Sequence, residues 1–455
     1  MAFRGLIRSL ITKRQLHVVS KSSSNIKPAS PTPSKLKQYN IPLHDRTIPN
    51  IHVPMILFYP SYNSDHSLKL IPNNASLSDL LKNSLSETLS MYYPFAGRLR
   101  SGSYIDCNDE GVHFVEAQIG CKLWEVLEKP PVMEEEEGLG HLFPPCTIWK
   151  NCTEMYPGIV MHIQLNHFTC GGIAIAATLH HHIGDALTLC SFLKYWATLS
   201  LHSGDHQKLL HLRPHLVHEL LPASSDGDSI PDFPLPEKNW TTKEVIFQNT
   251  NLAKLKAAVE NEDKVDGIVE NQIYTRNELL TALLYRCLVA AAAETNTGAH
   301  NGSVLIRSVN VRPMIDPPLP ETSVGNFVVI NSITTSTESD TKYRTLVARM
   351  RQEKRRLSGI KNFDGQGLVP KMVELSKNKY RIFMITSMCN FPLYEATNFG
   401  WGKPIKALLV DTGMADIITL MDTTNDGIRA VVALGEQDMK NFLAQKELLT
   451  YASLE

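Results

Sequence analysis

The chain has 455 residues, of which 43% are hydrophobic and 20% charged, with a formal net charge of −1. That balance offers no attraction to nucleic acid or to an anionic membrane, and no run of 18 apolar residues is present to make a transmembrane helix. The length suits two or three domains. The eight scattered cysteines form no CxxC pair and read as reduced thiols, not as a disulfide framework or a zinc site.

The first 44 residues carry eight Lys or Arg and no acidic residue. Phe3, Leu6, Ile7, Leu10 and Ile11 follow helical spacing, with Arg4 and Arg8 between them. This composition suits an organellar transit peptide, and a disordered leader is the plain alternative. A cytoplasmic location is expected, with mitochondrion or plastid as the second choice. Residues 21–38 are rich in Ser, Pro and Lys, so the compact fold is expected to start near Tyr39. Val53–Tyr59 reads as a buried strand. Leu77, Leu81, Leu85 and Leu89 mark an amphipathic helix, and Pro94 lies beyond its end. Ile159–Phe168 and Ile173–Leu179 read as strands joined by a turn at Cys170-Gly171-Gly172. His180–Asp185 then leads into a helix over Ala186–Leu199.

Five prolines and the run Ser224–Ser229 make residues 204–240 a linker candidate. Beyond it, Thr275 and Glu278 form a capping box ahead of the helix Leu279–Ala293. Val304–Val311 and Phe327–Ile333 are strand-like, and Tyr343–Leu357 is a basic helix. Ile417–Met421 and Ile428–Leu434 flank a hairpin turn at Asn425-Asp426-Gly427. The organisation expected is a leader over 1–26, a first αβ domain over 27–203, a crossover over 204–240 and a second αβ domain over 241–455.

Two segments stand out chemically. The first is His180-His181-His182-Ile183-Gly184-Asp185, at a strand-to-helix junction, where a side chain is exposed to substrate yet rigidly held. An imidazole titrating near neutrality is a good proton acceptor. His180 and His182 share a face of an extended segment, which leaves a metal site as an alternative, although no supporting ligand spacing is evident. The second is Asn398-Phe399-Gly400-Trp401-Gly402, a tight turn around a large ring, which reads as structural. The basic helix, with Arg344, Arg349, Arg351, Lys354, Arg355 and Arg356, reads as a solvated face able to attract a phosphorylated cofactor. No GxSxG elbow, P-loop or GxGxxG fingerprint is present.

Taken together, these segments resemble the BAHD acyltransferases of plants. His181 and Asp185 match the family's HxxxD motif, and residues 398–402 match its DFGWG motif except at the first position, where Asn398 replaces Asp. Pro31-Thr32-Pro33, Tyr93–Arg98, Asn310-Val311-Arg312, Gly325-Asn326-Phe327 and Glu447-Leu448-Leu449 extend the likeness over nearly the whole chain. The branch of alkaloid acetyltransferases looks nearest.

The resemblance implies an α/β protein of two similar αβ domains with the chloramphenicol acetyltransferase-like fold. It implies acyl-CoA, acetyl-CoA first, as co-substrate, with no permanently bound cofactor and no metal. It implies His181 as general base towards an alcohol, probed between two domains of a monomer, and Asp185 as a structural residue paired with Arg312. Asn398, Phe399, Gly400, Trp401 and Gly402 are structural support in this reading. Met388 stands where many relatives have Trp and is expected near the channel. A catalytically silent binding or scaffold protein is the alternative of a different class, suggested only by Asn398.

Overall fold

The computed structural model describes residues 17–48, 50–61, 74–128, 139–144, 157–202, 206–217, 239–265, 273–295, 302–360, 374–375, 377, 379–409 and 415–454. Two mixed sheets organise them. The first has six strands in the order Val18–Ile26, Val112–Ile119, Met161–Phe168, Ile173–His180, His52–Tyr59 and Lys406–Leu409. The second has seven, in the order Val328–Thr335, Ser303–Asn310, Arg381–Ser387, Ile417–Asp422, Ile428–Gly435, Trp240–Phe247 and Ser453–Leu454.

Two inner strands of the first sheet, Ile173–His180 and His52–Tyr59, are apolar along most of their length because both faces are covered, whereas Met161–Phe168 buries His162, Gln164, Asn166 and His167. Val53, Met55, Leu57 and Tyr59 point into the larger core with Leu77, Leu81, Leu85 and Leu89 of the helix Asn74–Met91. Ile56 and Phe58 alternate to the other face and pack with Leu142 and Phe143. The helix Ala186–Leu201 lies on the same side as Asn74–Met91, and Trp196 Nε1 donates to Ser84 Oγ at 3.0 Å between them. In the second sheet, Leu305, Phe383, Ile385, Ile418 and Leu420 face a core shared with Leu280, Leu284 and Leu288 of the helix Arg276–Thr295. The capping box of that helix is formed: Thr275 N donates to Glu278 Oε2 at 3.0 Å, and Glu278 N donates to Thr275 Oγ1 at 3.2 Å.

Four expectations are corrected. The fold does not wait until Tyr39, because Val18–Ile26 is an edge strand antiparallel to Val112–Ile119. Its side chains are largely exposed, so the segment lacks the apolar alternation by which a strand is read, and backbone pairing alone places it. The helical spacing of residues 3–11 falls outside the described residues. Within the crossover, His206–Leu212 is a 3-10 helix and His215–Leu216 pairs in parallel with Ser323–Val324, so its first part is built structure. The boundary at 241 is crossed by a returning segment, because Lys406–Leu409 pairs with Met55–Phe58 of the first sheet. Phe399, Trp401 and Met388 accordingly sit in the first domain's core, although they come late in the chain. The basic face of the helix Tyr343–Arg355 is free only in part: Lys354 and Arg355 are exposed, but Arg349 pairs with Asp340 at 2.6 Å and Arg351 with Glu278 at 2.6 Å.

Candidate active site

The strand Ile173–His180 ends in the turn His181–Gly184, closed by Ile183 N donating to His180 O at 2.9 Å. Asp185 then caps the helix Ala186–Leu201, its Oδ1 accepting from Thr188 N at 2.9 Å. The helix start and the histidine run are therefore fixed by one local device.

Asp185 also faces Arg312 across the domain boundary. Arg312 Nη1 donates to Asp185 Oδ2 at 2.8 Å and Nη2 to Oδ1 at 3.0 Å, a bidentate pair with Arg312 almost fully buried. Burial alone would lift the Asp185 carboxyl. Arg312 and the N–H groups of Thr188 and Phe327 outweigh it and hold the group below the usual carboxylate range. Arg312 Nη2 also reaches Ser323 O and Gly325 O, at 3.0 and 3.1 Å, while Nε donates to Ser323 O and Nη1 to Asn310 Oδ1, both at 3.3 Å. Gly325 has φ near 143°, a conformation that favours glycine, and this turns its carbonyl towards both Arg312 and Asp185 N. Asp185 thus has every oxygen engaged away from any substrate and serves as a clamp between domains.

His181 is placed differently. Its backbone N–H donates to Ile51 O at 2.8 Å and its carbonyl accepts from Asn326 Nδ2 at 2.7 Å. The side chain is half-buried, with Nδ1 buried. Burial holds the imidazole below the ordinary histidine range, against its own carbonyl, the charge of Asp185, Asn326 and the Gly184 backbone. The neutral form is therefore favoured at pH 7, and with its proton on Nδ1 the ring would offer the Nε2 lone pair as a proton acceptor. Its neighbours are used otherwise. His180 Nε2 meets Asn50 Oδ1 at 2.9 Å and its Nδ1 accepts from His182 N at 3.2 Å. His182 Nε2 donates to Ile48 O at 2.9 Å. Among the described residues no cluster of three or more His, Cys, Asp or Glu is arranged around a common point for a metal ion.

The Asn398–Gly402 segment lies at the other end of the same helix. Phe399 stacks on Trp401 with ring centroids 5.6 Å apart and meets Trp196 edge-on at 4.9 Å. Ser200 Oγ donates to Phe399 O at 3.1 Å. From Asp185 to Ser200 is roughly 22 Å along a helix rising 1.5 Å per residue, so this motif supports the helix far from His181.

A family model described as the Transferase family matches residues 16–449. The chain belongs to the BAHD transferase family. Akuammiline synthase 1 of Alstonia scholaris is 34% identical, over 95% of this chain and 97% of its own length. Deacetylvindoline O-acetyltransferase of Catharanthus roseus is 32% identical, over 95% and 97%. The crystal structure of vinorine synthase superposes with a TM-score of 0.80 at 28% identity, covering 97% of this chain and 99% of the other. F. sporotrichioides TRI101, solved with coenzyme A and T-2, shares the fold at a TM-score of 0.67 and 16% identity, over 92% and 99%. This BAHD chain is an acyltransferase of the chloramphenicol acetyltransferase-like fold, and the family's co-substrate is acyl-CoA. Two further residues at the site had no role in the sequence reading. Asn326 appears there only inside a motif match, and Asp45, the first acidic residue of the chain, not at all.

Proposed function

We propose that the chain is an acyl-CoA-dependent O-acyltransferase that moves an acyl group, acetyl first, to a hydroxyl of a plant specialised metabolite, an alkaloid or terpenoid. The acceptor class rests on the relatives: deacetylvindoline O-acetyltransferase, and the limonoid 7-O-acetyltransferase of Citrus sinensis, 32% identical over 94% of this chain. His181 is the general base, and the observation that carries this is a half-buried imidazole held below the ordinary histidine range while both neighbouring histidines are hydrogen-bonded elsewhere. His181 and Asn326 come from the two halves of one chain, which supports a monomer as the working unit.

Nε2 takes the alcohol proton as the oxygen attacks the thioester carbonyl. The tetrahedral intermediate carries its negative charge on the former carbonyl oxygen. Collapse breaks the C–S bond, and the departing thiolate takes the proton from imidazolium to leave free CoA. The ester is formed with no acyl-enzyme and no net proton change at His181. His181→Ala should fold, bind acyl-CoA and lose about 10² to 10⁴ of its turnover, read as free-thiol release from acetyl-CoA over a panel of alcohols. Turnover retained within a few fold would end this reading.

A further inference from the structure

His180–His182 is held on one side by the segment that follows Asp45, since Ile48 O, Asn50 Oδ1 and Ile51 O each accept from it. On the other side the His181 carbonyl accepts from Asn326 Nδ2 at 2.7 Å. Asp45 closes this ring. It lies on the short helix Leu43–Arg46, is 2% exposed, and its Oδ1 accepts from Asn326 N at 3.0 Å. We propose that Asp45 is a positioning residue for the acyl transfer: its carboxyl fixes Asn326, and Asn326 fixes the His181 carbonyl against which the imidazole is oriented. This rests on the reading of His181 as the base.

The charges around Asp45 give the coupling a pH dependence. Asp185 opposes its ionisation and Arg312 favours it, and Tyr39 lies close enough to feel its charge. Burial wins over the two Asn326 hydrogen bonds and lifts the carboxyl to about 7. Above that pH the Asn326 N–H donates to a carboxylate, a charge-assisted bond. Below it the acceptor is neutral and the hold on Asn326 slackens. The acidic limb of turnover therefore belongs to Asp45, above the lower limb that His181 itself would set.

The test uses the full chain, acetyl-CoA and an accepted alcohol. Asp45→Asn keeps an acceptor for Asn326 N but cannot ionise. It should lower kcat about tenfold, leave KM for acetyl-CoA unchanged and move the acidic limb from near pH 7 to lower pH. In an Asn326→Ala background the same substitution should add nothing, because Asp45 acts through Asn326. Wild-type kcat with an unmoved limb, or losses that multiply in the double variant, would overturn the proposal. Should Asp45→Asn not fold, Asn326→Ala alone must also lose the limb near pH 7. No CoA release from the wild-type protein would sink the acyltransferase reading instead. The His181 ring titration followed by NMR, assigned by its absence in His181→Gln, then still decides on Asp45: an identical titration in Asp45→Asn overturns it.

Discussion

Asn398 stands where its family has an aspartate, and the oxygen it keeps is the part that is used. Asn398 Oδ1 accepts from Gly400 N and Gly402 N, both at 2.9 Å, which curls the backbone around Trp401. Gly400 and Gly402 sit at φ 121° and 114°, so the turn needs glycine at both places. Among the described residues those two N–H groups are the partners of the Asn398 side chain, and no cation is among them. Asn398→Asp should make both bonds charge-assisted and raise stability by about 1 kcal/mol. Asn398→Ala should lower it by about 1–3 kcal/mol. Paired melting curves and kcat values check this. A lower melting temperature for the aspartate variant would show that the site rejects a charge. A large change in kcat would mean that the motif reaches the chemistry after all.

At the scale of the strand, the histidines form a row. The rings of His182, His180, His52, His162 and His113 follow one another at centroid distances of 4.8, 5.0, 5.4 and 5.3 Å across four adjacent strands and the turn after one of them. The charged groups bordering the row are cationic, Arg46 at one end and Arg98 at the other. Burial lowers the His52 and His182 rings to about 4 and holds His162 and His180 well below the ordinary value. For these groups the folded value is depressed, so between the two values the unfolded chain binds more protons. Their contribution is complete above the unfolded value near 6.5 and is lost as pH falls towards the folded value. By linkage His52 and His182 alone cost roughly 3 kcal/mol at pH 5.5. The melting temperature should fall steeply below pH 6.5, and His52→Phe should flatten that slope. Parallel melting profiles for the two proteins would refute the role given to the row.

Across the whole molecule the two sheets are tied by a buried charge group as well as by the Asp185–Arg312 clamp. Glu244 on the strand Trp240–Phe247 meets Lys406 Nζ at 2.9 Å and Arg429 Nε at 3.6 Å. Lys406 belongs to the first sheet and Arg429 to the second, and Arg429 Nη1 also donates to Ala407 O at 3.3 Å. Removing the negative member would leave two cations with little solvent around them. Glu244→Gln should therefore cost on the order of 3 kcal/mol, and calorimetry should show the single transition broadening as the domains begin to unfold separately. An unchanged, equally sharp transition would mean that the returning segment alone couples the halves. On the proposed mechanism such coupling matters to turnover, because His181 comes from one half and its Asn326 partner from the other.

Local patterns were sufficient for much of this. The leucine spacing at 77, 81, 85 and 89, the capping box at Thr275, the turn at Asn425-Asp426-Gly427 and the junction at His181 each depend on residues a few positions apart, so the sequence alone determined them. Two motifs in a fixed order were enough to indicate the family, because their spacing reflects the length of the intervening domain. What the tertiary structure decided are contacts with no local signature. The strand Val18–Ile26 exists because Val112–Ile119 offers it an edge, and its own exposed side chains do not announce it. Lys406–Leu409 pairs with Met55–Phe58 across some 350 positions, so reading order assigned it to the wrong half. Asp45 and Asn326 are separated by 281 residues and Asn326 and His181 by 145. A buried carboxyl acquires its partner, and its shifted proton affinity, only when folding removes water from around it and brings those segments together.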